Sequence, residues 1–72
     1  MFEYSKLKGR IREVCNSDTN FASKMELNRS TVSSKLNNRS EFTQDEIKRA
    51  CKILNIPPEK IGEYFFRESV AK

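Results

Sequence analysis

The stretch from Asp18 to Asn38, DTNFASKMELNRSTVSSKLNN, carries the pattern that most limits what this chain can fold into. Phe21, Ala22 and Met25 take the i, i+1 and i+4 positions of one helix face, Leu27 falls in a short polar break, and Val32 and Leu36 resume the i, i+4 step. The spacing predicts two short helices with a turn between them. Ala22 is a small residue where the two helices must cross closely, Leu27 plugs the turn, and Val32 anchors the second helix to the core. The outside of that helix keeps Asn28, Arg29, Ser30, Ser33, Ser34 and Lys35, each able to hydrogen-bond to a base edge or a phosphate.

A chain of 72 residues supports one domain, spanning residues 1–72, and one modest core. At this length the expected radius of gyration is about 11 Å and roughly 60% of the unfolded surface can be buried. An enclosed catalytic cavity does not fit that size, and the chemistry is missing too. There is no His, no paired carboxylate in a pocket and no Gly-rich phosphate loop, and Ser30, Ser33 and Ser34 have no base to activate them. An enzyme is not expected, nor a cofactor or a small-molecule substrate.

The net charge of +4 is a mild basic bias that suits an anionic partner without identifying one. Cys15 and Cys51 lack any metal-ligand spacing, so no metal is expected and both read as reduced core thiols, with a disulfide or a redox role as the alternative. No apolar run approaches the roughly 20 residues of a membrane span, and the opening MFEYSKLKGR lacks the apolar segment of a signal peptide. A soluble, cytoplasmic protein without a membrane partner is the expectation.

On the N-terminal side, Tyr4, Leu7, Ile11 and Val14 recur at helical steps with Cys15 beside them, so residues 2–15 read as an amphipathic first helix. Its outward Lys6, Lys8, Arg10 and Arg12 form either a solvated face or a set of phosphate contacts. Ser17 or Asp18 can cap the second helix, and Asn28 is placed to cap the third, which stops in the Asn37, Asn38 pair. Thr43-Gln-Asp-Glu46 is a capping box that opens a fourth helix with Ile47, Ala50, Cys51 and Leu54 on its core face. Pro58 suits the first turn of a fifth helix, Glu59 to about Phe66, so the C-terminal helix and tail occupy about residues 58–72. Three consecutive aromatics, Tyr64, Phe65 and Phe66, are too many for so small a core. Some of them are expected in an exposed apolar patch. The fold class is all-α, a compact domain of five helices with a central helix-turn-helix over about residues 18–37.

From Phe21-Ala22 to Leu36-Asn37 the chain resembles the helix-turn-helix of the phage Cro and repressor family. The opening MFEYSKLKGRI and the segment NRSTVSSKLNN resemble most the small temperate-phage switch proteins of the modulator-of-repression, or antirepressor, type. The resemblance covers nearly the whole chain and implies a lambda repressor/Cro-like fold. It implies that Arg29, Ser30 and Ser34, flanked by Ser33, face base edges, and that Asn28, Asn37, Asn38 and Arg39 touch phosphates. An Arg near the start of a helix in the major groove can donate two hydrogen bonds to guanine, which is consistent with that role.

Three residues depart from the family pattern. Glu26 stands in the turn where Gly is usual, Asp18 where a phosphate-binding Gln is frequent, and Glu41 in a loop where basic residues are common. Carboxylates there repel a phosphate backbone and weaken the counterion-release term. They suit instead the basic DNA-reading surface of another protein. Two functions follow. The favoured one is a modulator of the phage lysis/lysogeny switch that binds the DNA-binding domain of a partner repressor through Asp18, Glu26, Glu41, Tyr64 and Phe66, with double-stranded DNA contacted only in a joint complex. The alternative is a stand-alone, sequence-specific Cro-like repressor.

Overall fold

Each apolar step in residues 18–38 points inward: Phe21, Ala22, Met25, Val32 and Leu36 are all buried. They belong to α2 (Asp18–Met25) and α3 (Arg29–Leu36); α2 packs against α3 and also against α1 (Ser5–Cys15) and α4 (Gln44–Leu54), which contact each other. A 3₁₀ turn, Pro58–Lys60, leads into α5 (Ile61–Phe65), which closes the core with Phe65. The structure, a computed structural model, describes residues 2–68. Among these the regular structure is helical throughout, with one isolated antiparallel bridge between Phe2 and Glu68. The Cα radius of gyration, 11.4 Å, is what the length predicts.

The helix ends explain the boundaries. Ser17 caps α2 by accepting the Asn20 amide at 3.1 Å, and Asp18 adds a negative charge to the first turn, where the helix dipole favours it. At the other end the Leu27 amide donates to the Ala22 carbonyl at 2.9 Å, closing the turn around Glu26. Thr43 and Glu46 form the full capping box at the start of α4. Two arginines serve as caps at C-terminal ends: Arg10 Nε donates to the Leu54 carbonyl at 2.8 Å and an Arg49 guanidinium nitrogen to the Met25 carbonyl at 3.0 Å. Both cations sit at the negative end of a helix dipole. Cys15 is buried, Cys51 is half-buried, and both are free thiols.

Five expectations change. α1 starts at Ser5 because Phe2 and Glu3 run extended against the C-terminal segment, where the Glu3 amide donates to the Arg67 carbonyl at 2.8 Å. Val14 is 39% exposed: the buried arc of α1 follows Tyr4, Leu7, Ile11 and Cys15, and Val14 lies off its edge. The last helix begins at Ile61, since Pro57 and Pro58 tighten the preceding turn to 3₁₀ geometry. Asn28 occupies the N-cap position of α3, but its side chain makes no capping bond. Lys35, expected on the outside of α3, is buried. The part of the expected tail beyond Glu68 lies outside the described residues.

Candidate recognition surface

α3 presents different chemistry at its two ends. At the N-terminal end Asn28, Arg29 and Ser30 are exposed, as is Ser33 one turn on, while Ser34 is half-buried. Neither Arg29 nor Arg39 has an ion pair or side-chain hydrogen bond among the described residues. Their guanidinium groups are therefore open to a ligand.

At the C-terminal end Lys35 is already engaged. Lys35, 7% exposed, pairs with Glu46, 9% exposed, at 3.0 Å, and donates to the Glu41 carbonyl at 2.9 Å. Its ammonium also lies 5.9 Å from the centre of the Phe42 ring. Burial by itself would raise the Glu46 pKa. The Thr43 amide and the Lys35 ammonium outweigh that and hold the carboxyl below its usual range. Lys35 is thus corrected from an outward ligand group to an internal one, because Val32, Lys35 and Leu36 share one helix face and Glu46 supplies the counter-charge.

Asn37 and Asn38 are also committed inside the molecule. Asn37 Nδ2 donates to the Ser33 carbonyl at 2.9 Å. Asn38 has φ 62° and holds Phe2 by two bonds: its Oδ1 accepts the Phe2 amide at 3.1 Å and its Nδ2 donates to the Phe2 carbonyl at 2.7 Å. A phosphate contact by the Asn38 side chain would have to displace this clamp.

The three carboxylates do not form one cluster. Asp18 and Glu26 flank opposite ends of the eight-residue α2, about 12 Å apart along its axis. Glu41 lies beyond α3, in the loop before α4. Among the described residues, four non-glycine positions have positive φ: Asn16, Glu26, Asn38 and Asn55. Three are Asn, which tolerates the left-handed region best of the residues with a side chain. Glu26 is the exception, and its exposed carboxylate gains no bond among the described residues.

Tyr64 and Phe66 also part company. Tyr64 is half-buried under Lys6, whose ammonium lies 5.1 Å from the ring centre and pairs with Glu63 at 2.6 Å. Phe66 is 51% exposed and stacks edge-on against Phe2 at 5.6 Å. From there a run of aromatic contacts continues through Phe2 and Tyr4 at 6.4 Å, Tyr4 and Phe42 at 5.6 Å, and Phe42 and Phe65 at 5.3 Å. These five rings, with Ile47 and Glu41, line a groove of about 260 Å³. The sequence reading passes over Phe42, although a lone aromatic in the polar loop NNRSEFTQ is itself a signal. Among the described residues no group of carboxylates and thiols is placed to hold a metal ion, and no helix is long and apolar enough to cross a membrane.

Comparison with known proteins adds to this geometry. The sequence profile of a family described as "Protein of unknown function (DUF739)" matches residues 1–68. Among solved structures, the chain is similar to the modulator of repression (MOR) of the temperate bacteriophage TP901-1 from Lactococcus lactis, determined in solution. The two share 41% sequence identity with a TM-score of 0.82, over 97% of this chain and 95% of that one. Among curated proteins nothing matches.

Proposed function

Because the chain belongs to the DUF739 family, and because its likeness to a phage modulator of repression runs over nearly its full length, we propose that it is a regulator of a temperate-phage lysis/lysogeny switch. In this reading α2, the Glu26 turn and α3 form a helix-turn-helix, and the protein acts by binding the DNA-binding domain of a partner repressor and blocking or redirecting it. The near-complete overlap with MOR carries the proposal.

The electrostatics of α3 support a protein partner over bare DNA. With Lys35 withdrawn into the core, residues 28–39 keep two free cations, Arg29 and Arg39, and Glu26 sits just before them. Each phosphate neutralised contributes about 0.9 to the salt dependence of duplex binding, so two cations beside a carboxylate give weak affinity. Asp18, Glu26 and Glu41 offer carboxylates to the basic surface with which a repressor reads DNA, and Phe66 offers apolar contact area. Tyr64, held under Lys6, contributes less. In a joint complex Arg29, Ser30, Ser33 and Ser34 remain available to base edges, and Asn28 and Arg39 to phosphates, while Asn37 would first release its bond to the Ser33 carbonyl.

The reading is tested by calorimetric titration of the full chain against the DNA-binding domain of the repressor encoded in the same switch region. A stoichiometric complex is the expected result, and its absence overturns the proposal. Stand-alone DNA reading is tested by Arg29→Ala: a direct reader loses about 1–3 kcal/mol at one base pair.

A further inference from the structure

We propose that the aromatic groove lined by Phe2, Tyr4, Phe42, Phe65 and Phe66 is an anchor site for a protein segment that offers one large apolar side chain next to a lysine or arginine. The inference rests on the switch-regulator reading, and the segment is then part of the partner repressor.

The size of the groove selects the class of occupant. Its volume, about 260 Å³, exceeds the roughly 150 Å³ that admits a benzene ring and falls below the roughly 300–1,000 Å³ of small-molecule sites. One aromatic or branched aliphatic side chain fits it. The walls are apolar, and Phe66 at the rim leaves half its surface in water, an arrangement that gains from being covered.

The polar groups select the neighbour of that side chain. Glu41 is the charged residue in the lining, and its carboxylate has no ion pair among the described residues. The Tyr4 hydroxyl has no hydrogen-bond partner there either, and since no buried side-chain polar atom lacks a partner, it must reach solvent. Tyr4 and Glu41 both line the groove, and burial first, then the charge on Glu41, disfavours ionisation of the Tyr4 hydroxyl. An unpaired carboxylate beside a hydroxyl acceptor fits an ammonium or a guanidinium group.

The groove is also preformed. Asn38 holds Phe2 by two hydrogen bonds, and the Glu3 amide is bonded to the Arg67 carbonyl at 2.8 Å, so the walls need little ordering when a ligand arrives. A second copy could offer Phe66-Arg67 as the same apolar-plus-cation pair. Phe66, however, is packed against Phe2 as a wall of its own groove, and the net charge of +4 opposes self-association.

The test is calorimetric titration of the full chain against the DNA-binding domain of the same-switch repressor, using wild type, Phe66→Ala, Glu41→Lys, and Lys48→Ala on α4 as comparator. Phe66 and Glu41 are exposed, so the variants should fold, and thermal melts check this. Phe66→Ala is expected to weaken binding about 30-fold and Glu41→Lys about tenfold, with Phe66→Leu restoring most of the loss and Lys48→Ala staying within about twofold. If wild type binds and both groove variants stay within about twofold of it, the groove site is overturned while the regulator reading stands. If wild type does not bind, the regulator reading falls and the proposed occupant with it. Sedimentation of the protein alone is expected to show a monomer. A dimer that Phe66→Ala dissociates would assign the groove to a second copy and overturn the proposal, as would a chain ended at Glu68 that binds about tenfold more tightly.

Discussion

The two ends of α3 end in the same backbone device and use it differently. Before the helix, Glu26 takes a left-handed conformation and the Leu27 amide closes the turn on Ala22. After it, Asn38 takes the same conformation and the Arg39 amide closes the turn on Ser34 at 2.8 Å. At the later turn two polar side chains have a structural use, while Arg39 stays open: Asn38 clamps Phe2, and Lys35 ties α3 to the Glu41 carbonyl and to Glu46. At the earlier turn the side chains of Glu26, Asn28 and Arg29 make no such bonds among the described residues. The left-handed residue whose side chain has a structural use here is Asn38. We propose that Glu26, which has a conformational cost in that geometry and no side-chain bond among the described residues, is kept for an outside partner.

The comparison breaks first if the locked end is not locked. Lys35→Ala leaves Glu46 buried without its counter-charge and is expected to lose about 3 kcal/mol or more in denaturant unfolding, while Lys35→Met, which keeps the stem packing, loses less. A loss under about 1 kcal/mol would show that the pair does not hold the end of α3.

Asn38→Ala comes next, at about 2 kcal/mol, from two lost hydrogen bonds and a strained left-handed Ala. Asn38→Gly separates the two terms, since it keeps the backbone geometry and removes only the clamp. Hydrogen exchange at the Phe2 and Glu3 amides should rise in both variants if the clamp acts as described.

A smaller effect is read in acid. The folded pKa of Glu46 lies below its ordinary value, so its contribution to stability is fully present above the ordinary carboxylate range and is lost as pH falls through the folded value. Glu46→Gln should flatten this acid limb of the stability profile. An unchanged profile would show that the fold does not hold the Glu46 carboxyl below its ordinary range.

The smallest effect belongs to the open end. Glu26→Gly removes the strain of a left-handed Glu at some entropic cost, so stability should be unchanged or gain up to about 1 kcal/mol. Repressor binding should weaken in the same variant. A protein that loses stability here would show that Glu26 has an internal role.

How much of this was legible in the sequence depended on the range of the interaction. Phe21, Ala22, Met25, Val32 and Leu36 are buried because helical periodicity is a local rule. The Thr43–Glu46 capping box spans one turn and reads equally well. Lys35 did not, because its partner Glu46 lies across a loop, and a Lys on a polar helix reads as outward until that partner is placed. The Asn38 clamp on Phe2 joins residues 36 apart and leaves no local trace. The groove gathers Phe2, Tyr4, Phe42 and Phe66 from both ends of the chain and a loop, so no single segment announces it.

The central claim is that the protein acts on a repressor and does not read an operator alone. A mobility-shift assay of switch-region DNA with this protein, with the repressor, and with both together tests it most directly. The account predicts no specific shift from this protein alone, and loss or alteration of the repressor's shift when both are present. A specific shift from this protein alone that Arg29→Ala abolishes, with the repressor's complex unaffected, would contradict it.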